Sequence, residues 1–79
     1  MDKQVCFSDL EAILRNAIKL SRYSIKDLAI IADMSKSGLY GFSNGKKHIS
    51  IERGDLLIKY LEENNPQALK VATNMYFDN

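Results

Sequence analysis

The eighteen residues from Ile25 to Phe42, "IKDLAIIADMSKSGLYGF", restrict this chain more than any other part of it. They hold two helix-like runs, each too short to be stable alone. Counted from Ile25 as position one, Leu28, Ala32, Met34, Leu39 and Phe42 fall at four, eight, ten, fifteen and eighteen, and Ala29 falls at five. Two short helices joined by a tight turn must cross closely at a steep angle. That demands a small residue where they cross and apolar residues at fixed places on both. Ala29 supplies the first and the spaced residues supply the second. Ser24 and Ser35 stand where N-caps belong, and Asp27, three residues after Ser24, can bond back to it. Asp33 is the expected stop of the first helix, because Asp tolerates the left-handed region better than most residues.

The flanking segments read the same way. In "SDLEAILRNAIKLS", Leu10, Ile13, Leu14, Ala17 and Ile18 form one apolar helical stripe. Ser8 and Glu11 have the spacing of a capping box, which predicts a start at Asp9. Gly45 stands where a C-terminal cap is expected after the helix that begins at Lys36. "KKHI" reads as a surface loop. Ser50 caps a further helix with Ile51, Leu57, Ile58 and Leu61 inward. Asn65 followed by Pro66 opens the last one, with Ala68, Leu69, Ala72 and Tyr76 on one side. No sustained period-two alternation occurs. The expected fold is therefore all-α: one domain over 1–79, a compact five-helix bundle with helices at about 9–21, 25–32, 36–44, 51–63 and 66–76.

The stretch "MSKSGLYGFSNGKKH" invites a different reading, a loop that wraps a nucleotide phosphate. Such a loop needs four residues between its glycines, then Gly-Lys-Ser/Thr after a strand. Gly41 and Gly45 enclose three residues, Lys46 is followed by Lys47, and the preceding segment reads as helix. That reading is excluded.

Charge narrows the function. The chain carries a formal net charge of +1, but its distribution is uneven. Residues 35–50 contain Lys36, Lys46 and Lys47, with His48, and no acid; residues 51–79 are net acidic. One positive segment in a nearly neutral chain fits one anion-facing surface. Cys6 is the only cysteine, so no internal disulfide is possible, which suits a reducing cytoplasm. It is expected as a small buried or half-buried hydrophobe. The polar start "MDKQVCFSDL" is not expected to be a signal peptide, and no apolar run approaches a membrane span. His48 is a lone histidine, with no second histidine and no cysteine beside it to make a metal site, and adjacent Glu62 and Glu63 point apart as a solvated helix end. No catalytic constellation can be built, so no enzyme activity, cofactor or metal is expected.

The segment "YSIKDLAIIADMSKSGLYGFSNGKKHISIERGDLLIKYL" resembles the lambda-repressor-like helix-turn-helix domain of phage Cro and CI repressors and their bacterial relatives, the xenobiotic-response-element type. The resemblance covers about residues 8–62. It implies a five-helix bundle, sequence-specific DNA binding in transcription regulation, and a homodimer on a two-fold operator. The chain departs from the family pattern at Asp33 (commonly glycine), Gly41 (commonly a polar or basic recognition residue) and Gly54 (commonly a core aliphatic). Gly38 puts a second glycine in the same short helix.

On this reading the helix at 36–44 lies in the major groove with its N-terminal end toward base edges. Ser35, Lys36, Ser37, Tyr40, Gly41 and Asn44 face outward. Of these, Ser35, Lys36, Ser37, Tyr40 and Asn44 are the candidate base contacts, with Lys36 suited to guanine O6 and N7. Asn44 has the alternative of a helix cap. Phosphates are assigned to Ser24, Lys26, Lys46, Lys47 and His48. Surplus apolar residues Leu56, Tyr60, Val71, Met75 and Phe77 mark a candidate dimer or partner surface. The partner expected is double-stranded DNA, with no membrane and no small-molecule ligand. The alternative function is a protein-interaction module of the same fold, an antirepressor or co-regulator that binds another regulatory protein.

Overall fold

In the computed structural model, which describes residues 7–78, five helices follow one another: α1 (Phe7–Ser21), α2 (Ile25–Ile31), α3 (Lys36–Ser43), α4 (Ile51–Asn64) and α5 (Pro66–Phe77). Among the described residues there is no strand. Cys6 lies outside the described residues.

The starts of four helices are written in single polar residues. The hydroxyls of Ser24, Ser35 and Ser50 accept from the backbone N–H of Asp27, Gly38 and Arg53, and the Asn65 side-chain amide oxygen accepts from the Ala68 N–H, with Pro66 at the first helical position. Each cap satisfies a donor that the helix cannot satisfy itself. The ends of α2 and α3 share a second device. Asp33 N–H donates to Ile30 and Met34 N–H to Ala29; Gly45 N–H donates to Phe42 and Lys46 N–H to Gly41. Both are paired C-terminal closures around one left-handed residue. That residue is Asp33 at φ 56° in the first and Gly45 at φ 81° in the second. Arg22, at φ 63°, turns the chain after α1.

Leu28, Ala32, Leu39 and Phe42 are wholly buried and Ala29 nearly so. They meet Leu14, Ala17 and Ile18 of α1 and Leu57 and Leu61 of α4 in one core. Helix α1 packs against α3, α4 and α5, while α2 packs against α3 and α4. The Tyr76 hydroxyl donates to the Asp9 carboxylate and brings the last turn of α5 to the first turn of α1. Tyr23 and Tyr60 meet edge to face at 5.5 Å, an arrangement that the ring quadrupole favours.

Several sequence expectations need correction. Helix α1 already includes Phe7, so Ser8 lies inside it and does not cap it. Glu11 does not bond back to that end; it turns inward. Leu10 is 37% exposed and Ile51 67% exposed, so neither belongs to the core. The place expected for Ile51 is taken by Ile49, which the loop reading put at the surface and which is 4% exposed. Ile51 sits on the first turn after the Ser50 cap and points away. Helices α2 and α3 each stop one residue earlier than expected, because Ala32 and Asn44 are their C-caps.

Asp33 holds a conformation that favours glycine. A left-handed non-glycine residue is strained by about 1–2 kcal/mol, less for Asp, against a glycine entropy cost of about 0.5–1 kcal/mol. Asp33→Gly is expected to be neutral to stabilising by about 1 kcal/mol, and Asp33→Val clearly destabilising. Urea unfolding of both variants checks this.

Candidate nucleic-acid interface

Helix α3 divides sharply. Leu39 and Phe42 face the core, while Ser35, Lys36, Ser37, Tyr40 and Asn44 are exposed, as expected. Lys36, Ser37 and Tyr40 line one shallow cleft on the outer face of the helix. Tyr40 is 59% exposed. Ser24, Lys26, Lys46, Lys47 and His48 are exposed as well. Among the described residues the ion pairs are His48–Glu11 and Lys59–Asp55, so Lys36, Lys46 and Lys47 face solvent without a carboxylate to neutralise them.

Gly41 is not on the outer face. It is buried, and a Cβ there would stand 2.9 Å from Cδ and 3.2 Å from Cγ of Lys47. The glycine is a seat for the aliphatic stem of Lys47, whose own N–H, with that of Lys46, donates to the Gly41 carbonyl. Gly38 has a different reason. A Cβ there would come within 2.9 Å of the Ser35 hydroxyl and 3.4 Å of the Met34 methyl, so glycine leaves the cap undisturbed.

The segment after α3 is held by two residues of α1 one turn apart. Arg15 Nε donates to the Phe42 carbonyl at 2.7 Å and Nη2 to the Lys47 carbonyl at 3.0 Å. Its guanidinium lies 4.6 Å from the centroid of the Phe42 ring, a cation–π contact. Glu11, only 3% exposed, accepts from the Ile49 N–H at 3.0 Å and from His48 Nδ1 at 3.0 Å. At the other end of α3, Arg53 Nε donates to the Asp33 carbonyl at 3.1 Å. Burial opposes ionisation of Glu11, but the Ile49 and His48 hydrogen bonds, with the charge of His48 when that ring is protonated and the charge of Arg15, outweigh it. The carboxyl is held below its ordinary value.

None of Glu11, Arg15 and Arg53 was among the residues expected at the site. Glu11 and Arg15 share a helical face with Leu14 and Ile18, and two opposite charges four apart beside an apolar stripe were the signal available. The residues proposed for a partner surface do not gather on one face. Tyr60 packs on Tyr23; Val71 and Met75 border a hollow with Asn16 and Tyr76; Phe77 borders a separate apolar cleft with Leu10, Ile58 and Leu69. Leu56 is exposed and lines none of these clefts. Among the described residues no three His, Cys, Asp or Glu side chains gather as a metal site would need. No helix there is long and apolar enough to cross a membrane. No protein-family model, curated protein or solved structure matches this chain.

Removing the Glu11 carboxylate strands the buried Ile49 N–H. Glu11→Ala is expected to cost about 1–3 kcal/mol, the range for a buried donor left unsatisfied. The pH dependence has a defined sign. The folded carboxyl ionises more readily than the unfolded one, so its contribution is complete above the ordinary value of 4.5 and fades as pH falls through the lower folded value. Urea midpoints from pH 7 to pH 3 should fall less steeply for Glu11→Gln than for the wild type.

Proposed function

We propose that the chain is a DNA-binding transcriptional regulator in which α2, the Asp33 turn and α3 act as a helix-turn-helix, with α3 in the major groove. The observation that carries this reading is the outer face of α3. It presents Ser35, Lys36, Ser37 and Tyr40, all able to donate hydrogen bonds, and unpaired Lys46 and Lys47 follow directly, with no acid between residues 35 and 50. Donors and cations without carboxylates suit a polyanion whose bases offer acceptors in the major groove. Lys36, Ser37 and Tyr40 are the residues proposed to reach base edges. Lys46 and Lys47, with Ser24 and Lys26 beside the start of α2, are the proposed phosphate contacts, which fix register without reading sequence. A single α3 gives one half-site, so a dimer on two half-sites about one DNA turn apart is the proposed working form.

A second reading has one observation in its favour. Two adjoining apolar clefts that share Leu10, Leu14 and Ile58 open between α1, α4 and α5, and α3 lines neither. A protein partner seated there would make the chain a co-regulator. Gel shifts with its own upstream DNA separate the two. Binding by the isolated chain, weakened by Lys36→Ala and by Lys46→Ala/Lys47→Ala, supports the first reading. A shift only in the presence of a co-expressed partner supports the second.

If roughly three to five phosphates are neutralised per subunit, log K against log salt should have a slope of about −3 to −4 per half-site. A flat response would contradict DNA binding. Gly41→Ala tests the seat of Lys47. It should remain folded, with the gain of about 1 kcal/mol in helix propensity set against displacement of a flexible stem. DNA affinity should drop because Lys47 moves.

A further inference from the structure

We propose that DNA binding by the segment after α3 takes up a proton at His48, with Glu11 fixing which ring nitrogen is free to meet the phosphate. The inference rests on the DNA-binding reading and adds a regulatory property to it.

Glu11 is ionised, and an ionised carboxylate only accepts. Its oxygens lie 3.0 and 3.3 Å from His48 Nδ1, so Nδ1 carries a hydrogen and donates it. The same carboxylate is anchored by the Ile49 N–H at 3.0 Å, so the acceptor is fixed in place. The His48 side chain is nevertheless 87% exposed. Nε2 is thus left as the outward nitrogen, in the loop that carries Lys46 and Lys47. A neutral imidazole has one N–H. With that hydrogen committed to Glu11, Nε2 presents a lone pair, which repels a phosphate oxygen. The imidazolium has two, and can donate to Glu11 and to a phosphate at once. Histidine is the side chain that changes between these forms near neutral pH. Phosphate contact at His48 therefore requires a proton that the free protein need not hold.

The charged surroundings favour the same outcome in the complex. Arg15 lies one turn along α1 from Glu11, bound to the Phe42 and Lys47 carbonyls. Lys46 and Lys47 precede His48 in the loop, and Asp55 of α4 borders the cleft that Glu11 lines, with Lys59 at 3.6 Å. In the complex, DNA phosphates add negative charge beside Glu11 and favour the doubly protonated ring. Glu11 acts here as a positioning residue.

His48 is the only histidine, so its ring signal in an NMR spectrum has a single source. The test compares the wild type with His48→Gln, an exposed substitution, on a short duplex of upstream DNA at fixed low ionic strength between pH 6 and pH 8. The wild type should lose affinity as pH rises, by up to about tenfold per unit per subunit where one proton is taken up, and His48→Gln should lose far less. The variant differs from the wild type at His48 alone, so the contribution of every other group cancels. At pH 7, adding duplex should move the His48 ring resonance toward its protonated position, and by less in Glu11→Gln. Duplex binding that follows the same pH profile in the wild type and His48→Gln overturns the proton linkage and leaves the DNA reading standing. A ring resonance that bound duplex does not move does the same. No duplex binding by either protein at any pH overturns the DNA reading and this inference together.

Discussion

A pair of opposite charges on α1 organises the exposed surface of this protein. Glu11 and Arg15 lie on the same side of the helix, and between them they engage Phe42, Lys47, His48 and Ile49. All but one of these bonds end on backbone groups, so the pair fixes the path of the chain more than the identity of its side chains. The segment leaving α3 has no regular structure to satisfy it. Without Glu11, the Ile49 N–H would be buried unpaired, at a cost that opposes burial of the Ile49 side chain. A buried carboxylate is costly unless paired and hydrogen-bonded, and Glu11 is both. The loop and the carboxylate therefore stabilise each other, and Lys46 and Lys47 are presented from a braced strap.

The same logic operates at the other end of α3. Eight residues of helix have little stability of their own. Helix α3 persists because Leu39 and Phe42 are wholly buried, because Ser35 and Gly45 close its ends, and because Arg53 and Arg15 hold the chain on either side of it. A helix supported in this way can offer an outer face of small and polar residues that contribute nothing to the core. Freedom at Lys36, Ser37 and Tyr40 is the consequence of restraint at Asp33, Leu39, Phe42 and Lys47.

What could be read in the sequence follows from the range of each interaction. Caps act over three residues, so Ser24, Ser35, Ser50 and Asn65 marked four helix starts correctly. The apolar spacing from Leu28 to Phe42 spans one turn between two helices, so it located the core of that unit and the outward face of α3. The left-handed turn at Asp33 was legible because so few residue types tolerate it. Glu11 was misread for a physical reason. Ser8 and Glu11 have local cap spacing, but the partners that captured the carboxylate lie 37 and 38 residues away. Ile49 was missed because one apolar residue in a polar loop has no periodicity. Gly41 was unexplained because what it accommodates is a side chain six residues later, folded back by the turn at Gly45.

These non-local partners also shape the electrostatics of the candidate interface. A carboxylate directly beneath a cationic loop would ordinarily weaken the field that the loop presents. Here Arg15, one turn along α1, places its guanidinium over the Phe42 ring and against the Lys47 carbonyl, and adds a positive charge in the neighbourhood of the acid. Arg15 thus bonds the loop and balances the acid that bonds it. An apolar residue at 11 could fill the space but could not hold the Ile49 N–H. The Glu11–Arg15 pair is a solution in which the strap is held by a charge and the lysines remain available to an anion outside.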